Sequence, residues 1–116
     1  MAGKRILIVD DDTDLLATLG ALLSGGGHQV ECATNPLYAL DVARTFHPQF
    51  VLLDIGLPYM DGYETVRKFR AAFNGARIFA ITGRASDEDR EKSLQAGFEG
   101  HFTKPLDIAA LENLVA

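Results

Sequence analysis

Three nearly continuous apolar runs, Arg5 to Val9, Phe50 to Leu53 and Ile78 to Ile81, set the tightest limit on how this chain folds. Runs of this length without polar alternation belong to strands covered on both faces, as in a parallel sheet flanked by helices. Gln29 to Ala33 alternates instead, with Val30 and Cys32 on one side and Gln29 and Glu31 on the other, the pattern of an edge strand. Phe98 to Thr103 supplies a fifth strand, punctuated by Gly97 and Gly100 and closed by Pro105.

The segments between these strands carry helical spacing. Leu15, Leu16, Leu19, Leu22 and Leu23 form one stripe that begins after acids suited to a helix N-terminus and stops at Gly25-Gly26-Gly27. Asn35-Pro36 gives an N-cap with proline at the first helical position, Leu37, Leu40 and Ala43 give the buried face, and His47-Pro48 ends it. Tyr63 to Phe73 brings Val66, Phe69, Arg70 and Phe73 to similar spacing. Ser86 with Asp89 resembles a capping box, Gly97 the stop of that helix, and Asp107 the cap of a last helix carrying Ile108, Leu111, Leu114 and Val115. Five βα units with short connections, uninterrupted by repeats or linkers, predict one α/β domain over residues 1–116: a doubly wound five-stranded parallel sheet with helices on both faces.

Ligands of such sheets bind beyond the carboxyl ends of the strands. There this chain places acid: Ile6-Leu7-Ile8-Val9 runs into Asp10, Asp11 and Asp12, and Phe50-Val51-Leu52-Leu53 runs into Asp54. Thr82 closes the strand ending at Ile81, and Lys104 follows Thr103. With the two acidic strands side by side, three or four like charges share a small volume, which is unfavourable unless a cation or a proton intervenes. The cluster therefore predicts a divalent metal. Singly, each residue has a structural use: Asp10 to Asp12 as helix caps, Asp54 as a turn residue before Gly56, Thr82 as a strand former, Lys104 as a solvated lysine. Jointly, four strands deliver a polar or charged group to one rim.

Composition excludes several alternatives. A chain of 116 residues, 47% apolar, suffices for one core. Its net charge of -5, from 16 acids and 11 bases, comes without a Lys/Arg run, so no nucleic-acid footprint is expected. Nothing reads as a signal peptide or as the roughly 20 apolar residues of a membrane span, and a cytoplasmic protein is expected. Cys32 stands alone and reads as a small buried hydrophobe, while His28 and His47 lack metal-ligand spacing.

Val9-Asp10-Asp11, Leu53-Asp54 with Leu57-Pro58 and Met60-Asp61-Gly62, Ile81-Thr82-Gly83, and Phe102-Thr103-Lys104-Pro105 together resemble the receiver domain of two-component response regulators, over essentially the whole chain. The resemblance implies a flavodoxin-like strand order of 2-1-3-4-5. It implies that Asp54 accepts a phosphoryl group from phosphohistidine on a histidine kinase or a histidine phosphotransfer protein. It further implies Mg²⁺ (or Mn²⁺) held by Asp11, Asp54 and the backbone carbonyl of Gly56, with Asp10 acting mainly through water, and Lys104 and Thr82 contacting phosphoryl oxygens. The expected role is a phosphorylation switch, with only self-catalysed transfer and autodephosphorylation as chemistry, signalling to an output domain in cis or to a partner protein. His101 occupies the position where the family commonly carries an aromatic switch residue. Gly56 and Arg84 occupy the positions that, as the resemblance implies, tune water attack, and the absence of a side chain at Gly56 predicts slow to moderate self-dephosphorylation.

Two rivals make different demands. A haloacid-dehalogenase-type phosphatase would use Asp10 and Asp12 as its Asp-x-Asp, would leave Asp54 without a role, and would need a further acid pair after Lys104, where only Asp107 and Glu112 follow. A flavodoxin-like flavin binder would need hydroxyls and backbone N–H groups after the first strand, where this chain presents acids.

Overall fold

The computed structural model describes residues 3–56, 61–73, 75–83 and 87–116, with side chains from residue 91 onward in the last of these. Its strands are β1 (Arg5–Val9), β2 (Gln29–Ala33), β3 (Phe50–Asp54), β4 (Arg77–Thr82) and β5 (Gly100–Thr103). They alternate with α1 (Thr13–Gly25), α2 (Pro36–Phe46), α3 (Gly62–Ala72), α4 (Asp87–Ala96) and α5 (Ile108–Val115). All neighbours pair in parallel, in the order β2-β1-β3-β4-β5. The doubly wound sheet and its strand order are therefore as the sequence and the resemblance imply, with β2 at an edge.

Strand alternation sorts the core into two layers. Ile6 and Ile8, Phe50 and Leu52, and Phe79 and Ile81 face α1 and α5, where they meet Leu16, Leu19, Leu23, Leu111 and Val115. Leu7 and Val9, Val51 and Leu53, and Ile78 and Ala80 face the other way, against Ala39, Ala43, Val66, Phe69 and Ala96. Phe50, Phe79 and Phe102 run in series across the first layer, with ring centroids 6.4 and 5.9 Å apart. The guanidinium of Arg77 lies over Phe50 and Phe79 and pairs with Glu99, fixing the end of the sheet opposite the acids.

The caps of α1, α2 and α5 stand where the sequence places them, and Asp61 adds one at the start of α3. Asp12, Asn35, Asp61 and Asp107 each accept a backbone N–H from the first turn of α1, α2, α3 and α5. Gly97, at φ 122°, ends α4 in a conformation open to glycine. The Ser86–Asp89 capping pair, Leu57, Pro58, Met60 and Arg84 lie outside the described residues.

Three expectations need correction. Leu37 is 72% exposed, not core, because α2 approaches the sheet through the small side chains of Ala39 and Ala43, leaving the longer leucine off to the side. Leu22 is exposed because the buried stripe of α1 runs through Leu16, Leu19 and Leu23. The last strand begins at Gly100; Phe98 is a buried plug ahead of it, its N–H bonded to the Ser93 carbonyl at the end of α4. Among the described residues no helix is long and apolar enough to cross a membrane.

Phe69, fully buried in the second layer, should cost about 3–5 kcal/mol when truncated to alanine, whereas Leu37→Ala should stay within about 0.5 kcal/mol of the parent in urea unfolding. A large loss for Leu37→Ala would place that side chain in the core after all.

Candidate functional site

The acids converge because alternation carries them to one side of the rim. Ile8 and Asp10, Leu52 and Asp54, and Phe102 and Lys104 are each two residues apart, so the charged groups continue the side of the sheet that faces α1 and α5. The ladder extends one residue past the strands to hold them: Asp10 N–H donates to the Ala33 carbonyl at 3.1 Å and Lys104 N–H to the Thr82 carbonyl at 2.8 Å.

Asp10 is fully buried. Its Oδ1 accepts the Asp12 N–H at 2.9 Å, and its Oδ2 stands 2.9 Å from Lys104 Nζ. Asp54 lies almost as deep; its Oδ1 accepts the Gly56 N–H at 2.7 Å and its Oδ2 receives Lys104 Nζ at 3.3 Å. One ammonium thus bridges two carboxylates of neighbouring strands. Asp11 is exposed at the mouth, and Asp10, Asp11 and Asp54 each offer an oxygen within 4.8 Å of the others. Thr82 closes β4 on the same rim, buried, one residue beyond Ile81, the register partner of Asp54. His101 sits half-buried on β5.

Two carboxylate charges at such a separation repel by roughly 3 kcal/mol at an effective dielectric constant of 20. Burial, chiefly, and then the neighbouring Asp10 push the Asp54 carboxyl above the usual carboxylate range, although the Gly56 N–H and Lys104 pull the other way. Burial disfavours the Lys104 ammonium, yet its close ion pair with Asp10 and the charge of Asp54 outweigh that, and its pKa is pushed up. The lysine stays charged while the acids around it remain underneutralised.

The donor set fits a hard divalent cation. Three carboxylates, one open to solvent, suit an ion bound through oxygen that retains water, and no imidazole or thiolate belongs to the cluster. The Gly56 N–H donated to Asp54 Oδ1 is the side-chain turn that Asp54 ahead of Gly56 suggests in the sequence, here within the site itself. Asp12 is taken by its cap on α1, where Oδ1 accepts the Leu15 N–H at 3.1 Å, which removes it from a phosphatase-type Asp-x-Asp pair. His28 and Cys32 lie elsewhere: His28 Nδ1 accepts the Lys4 N–H at the opposite end of the sheet, and burial with the nearby Glu31 raises the Cys32 thiol, leaving it unreactive.

Comparison with known proteins agrees with this geometry. The family model described as the response regulator receiver domain matches residues 6–116. The transcriptional regulatory protein PrrA of Mycobacterium leprae is 35% identical over 96% of this chain, which spans 48% of that protein, about half its length. A CheY-like response regulator receiver domain protein from Methanospirillum hungatei superposes with a TM-score of 0.90 at 34% identity, covering 98% of this chain and 91% of its own. A response regulator from Burkholderia pseudomallei, crystallised with a phosphorylated aspartic acid, a calcium ion and citrate, gives a TM-score of 0.89 at 25% identity, with 97% of this chain and 66% of that one covered.

Because the Asp54 carboxyl is held above its ordinary range, the stability it contributes is present at low pH and is lost as pH rises through its folded-state value. At pH 7 in chelator, Asp54→Asn removes that unfavourable charge while keeping an oxygen for the Gly56 N–H, and should raise the thermal midpoint. A lower midpoint would mean that Lys104 already neutralises the cluster.

Proposed function

This chain belongs to the response regulator receiver domain family, and on that premise we propose that Asp54 is its phosphoacceptor and Lys104 the residue that balances the transferred charge. The receiver is a phosphoacceptor signalling module rather than an enzyme acting on a separate substrate. The observation that carries the assignment is the single Lys104 ammonium spanning Asp10 and Asp54 beside an exposed third carboxylate.

An Asp54 carboxylate oxygen attacks the phosphorus of a phosphohistidine; the O–P bond forms as the P–N bond breaks, and the departing imidazole regains its proton from solvent. The Gly56 N–H fixes the orientation of the carboxylate before attack. Lys104 already touches Asp54 Oδ2, so phosphorylation lets it exchange that contact for a phosphoryl oxygen. Thr82, at the same rim, offers a hydroxyl to a second one. Asp10, Asp11, Asp54 and the Gly56 backbone carbonyl would hold Mg²⁺, or Mn²⁺ in its place. When bound, the cation screens the carboxylates from the incoming phosphoryl group. The phosphorylated aspartic acid and calcium ion of the Burkholderia protein support the same pairing of modification and metal here.

Phosphorylation replaces one carboxylate charge by about −1.5 to −2 and adds acceptor oxygens. Drawn toward them, Lys104 and Thr82 pull on the ends of β5 and β4, with His101 in the switch position of β5. Residues 1–116 act as one receiver unit in the cytoplasm, charged by a histidine kinase or a histidine phosphotransfer protein and read by an output domain in cis or by a separate partner.

Incubation with acetyl phosphate and Mg²⁺ should add one phosphoryl group by intact mass. Chelator or Asp54→Asn should abolish the adduct, and Lys104→Ala should slow its formation by about 10²-fold or more. Undiminished labelling of Asp54→Asn would refute the assignment. A Cβ on Gly56 would meet Asp54 Oδ1 at 3.2 Å, so Gly56→Asn, which also puts an amide beside the phosphoryl group, should change the decay rate of the labelled protein. Identical decay would remove Gly56 from the control of its lifetime.

A further inference from the structure

Gly62 opens α3 at that helix's contact with the residue following Asp54. A Cβ placed on Gly62 would lie 2.9 Å from the Cα, the Cβ and the Cγ2 of Ile55, inside the distance at which carbon atoms pack. Admitting that carbon requires one side to shift, and both are anchored. Ile55 donates its N–H to the Ile81 carbonyl at 3.1 Å, and its side chain packs on the core beneath α2 and α3. The first turn of α3 is fixed by Asp61, whose Oδ1 accepts the Tyr63 N–H at 2.9 Å and whose carbonyl accepts the Thr65 hydroxyl at 3.0 Å. Val66 and Phe69, four and seven residues along the same stripe, are fully buried.

Ile55 is the single residue between Asp54 and Gly56, and the 2.7 Å hydrogen bond from Gly56 N–H to Asp54 Oδ1 spans it. Gly56 is exposed and directly follows Ile55, so a displaced Ile55 passes its shift to the Gly56 backbone. Alanine has the higher helix propensity; were the contact unimportant, alanine at position 62 would be favoured.

We propose that Gly62 is a positioning residue for the metal and phosphoacceptor site: its missing side chain lets α3 seat against Ile55 and so sets the spacing between the Asp54 carboxylate and the Gly56 backbone. The inference rests on the assignment of Asp54 and Gly56 made above. It makes Gly62 a determinant of metal affinity, distinct from any contribution to stability.

Gly62→Ala tests this with Gly97→Ala as the control, since Gly97, at φ 122°, is also strained by a side chain but lies at the opposite end of the sheet. Three quantities are read: the Gly56 amide resonance in the metal-free protein, Mn²⁺ binding followed by the paramagnetic resonance of the free ion, and the Mg²⁺ half-saturation for phosphorylation by acetyl phosphate. Gly62→Ala should move the Gly56 amide, and should raise both the Mn²⁺ dissociation constant and the Mg²⁺ half-saturation about tenfold or more. Gly97→Ala should lose stability with all three unchanged. Should Gly62→Ala fail to fold, Ile55→Ala reads the same contact from the other side and should weaken Mn²⁺ binding, while Ile55→Val, which keeps Cβ and Cγ2, should not. Wild-type Mn²⁺ affinity with an unmoved Gly56 amide in Gly62→Ala, or in Ile55→Ala where the first variant does not fold, would overturn the proposal. A wild-type protein that binds no Mn²⁺ and takes no Mg²⁺-dependent phosphoryl group would instead overturn the site assignment, and this proposal with it.

Discussion

One ammonium shared between two carboxylates on adjacent strands organises the rim of this protein. Asp10 is fully buried and Asp54 nearly so, and burying such charges without compensation costs several kcal/mol for each ion. Lys104, 31% exposed at its side chain, supplies a single positive charge against two acids, with Asp11 adding a third at the mouth. The site is left short of positive charge, and that deficit makes it receptive to a cation. It also makes the lysine sensitive to any change in what Asp54 carries.

The sheet exists in the form that makes this deficit possible. Two-residue alternation continues from Ile8 to Asp10, from Leu52 to Asp54 and from Phe102 to Lys104, so the packing that buries one layer of the core also aims the charges. Parallel pairing in the order β2-β1-β3-β4-β5 sets β1 beside β3 and brings β5 within a lysine's reach of both. Small residues then set fine distances: Ala39 and Ala43 let α2 lie close, Gly56 lets its own backbone meet the Asp54 carboxylate, and Gly62 admits α3 against Ile55.

Much of this was legible in the chain. Unbroken apolar runs identified the buried strands, the alternation of Gln29 to Ala33 identified the edge, and Asp12, Asn35 and Asp107 marked helix starts by their chemistry. The acids at strand ends announced an oxygen site once the two strands that carry them are set side by side. Leucine spacing misled at Leu22 and Leu37 because helical period alone does not say how near a helix lies to its sheet, and alanine gave no signal of facing it. Phe98 read as strand because an aromatic residue after glycine fits one, whereas its N–H goes to Ser93 at the end of α4. The contact of Gly62 with Ile55 joins residues whose proximity only the folded chain reveals.

The central claim is that the carboxylate tied to Lys104 and to the Gly56 N–H is the one that carries the phosphoryl group. Borohydride reduction of protein phosphorylated by acetyl phosphate in Mg²⁺, followed by peptide mapping, reads the modified residue directly, because an acyl phosphate is reduced where a free carboxylate is not. Homoserine at position 54 alone is the predicted result. Reduction at Asp10 or Asp11, with Asp54 intact, would contradict the account.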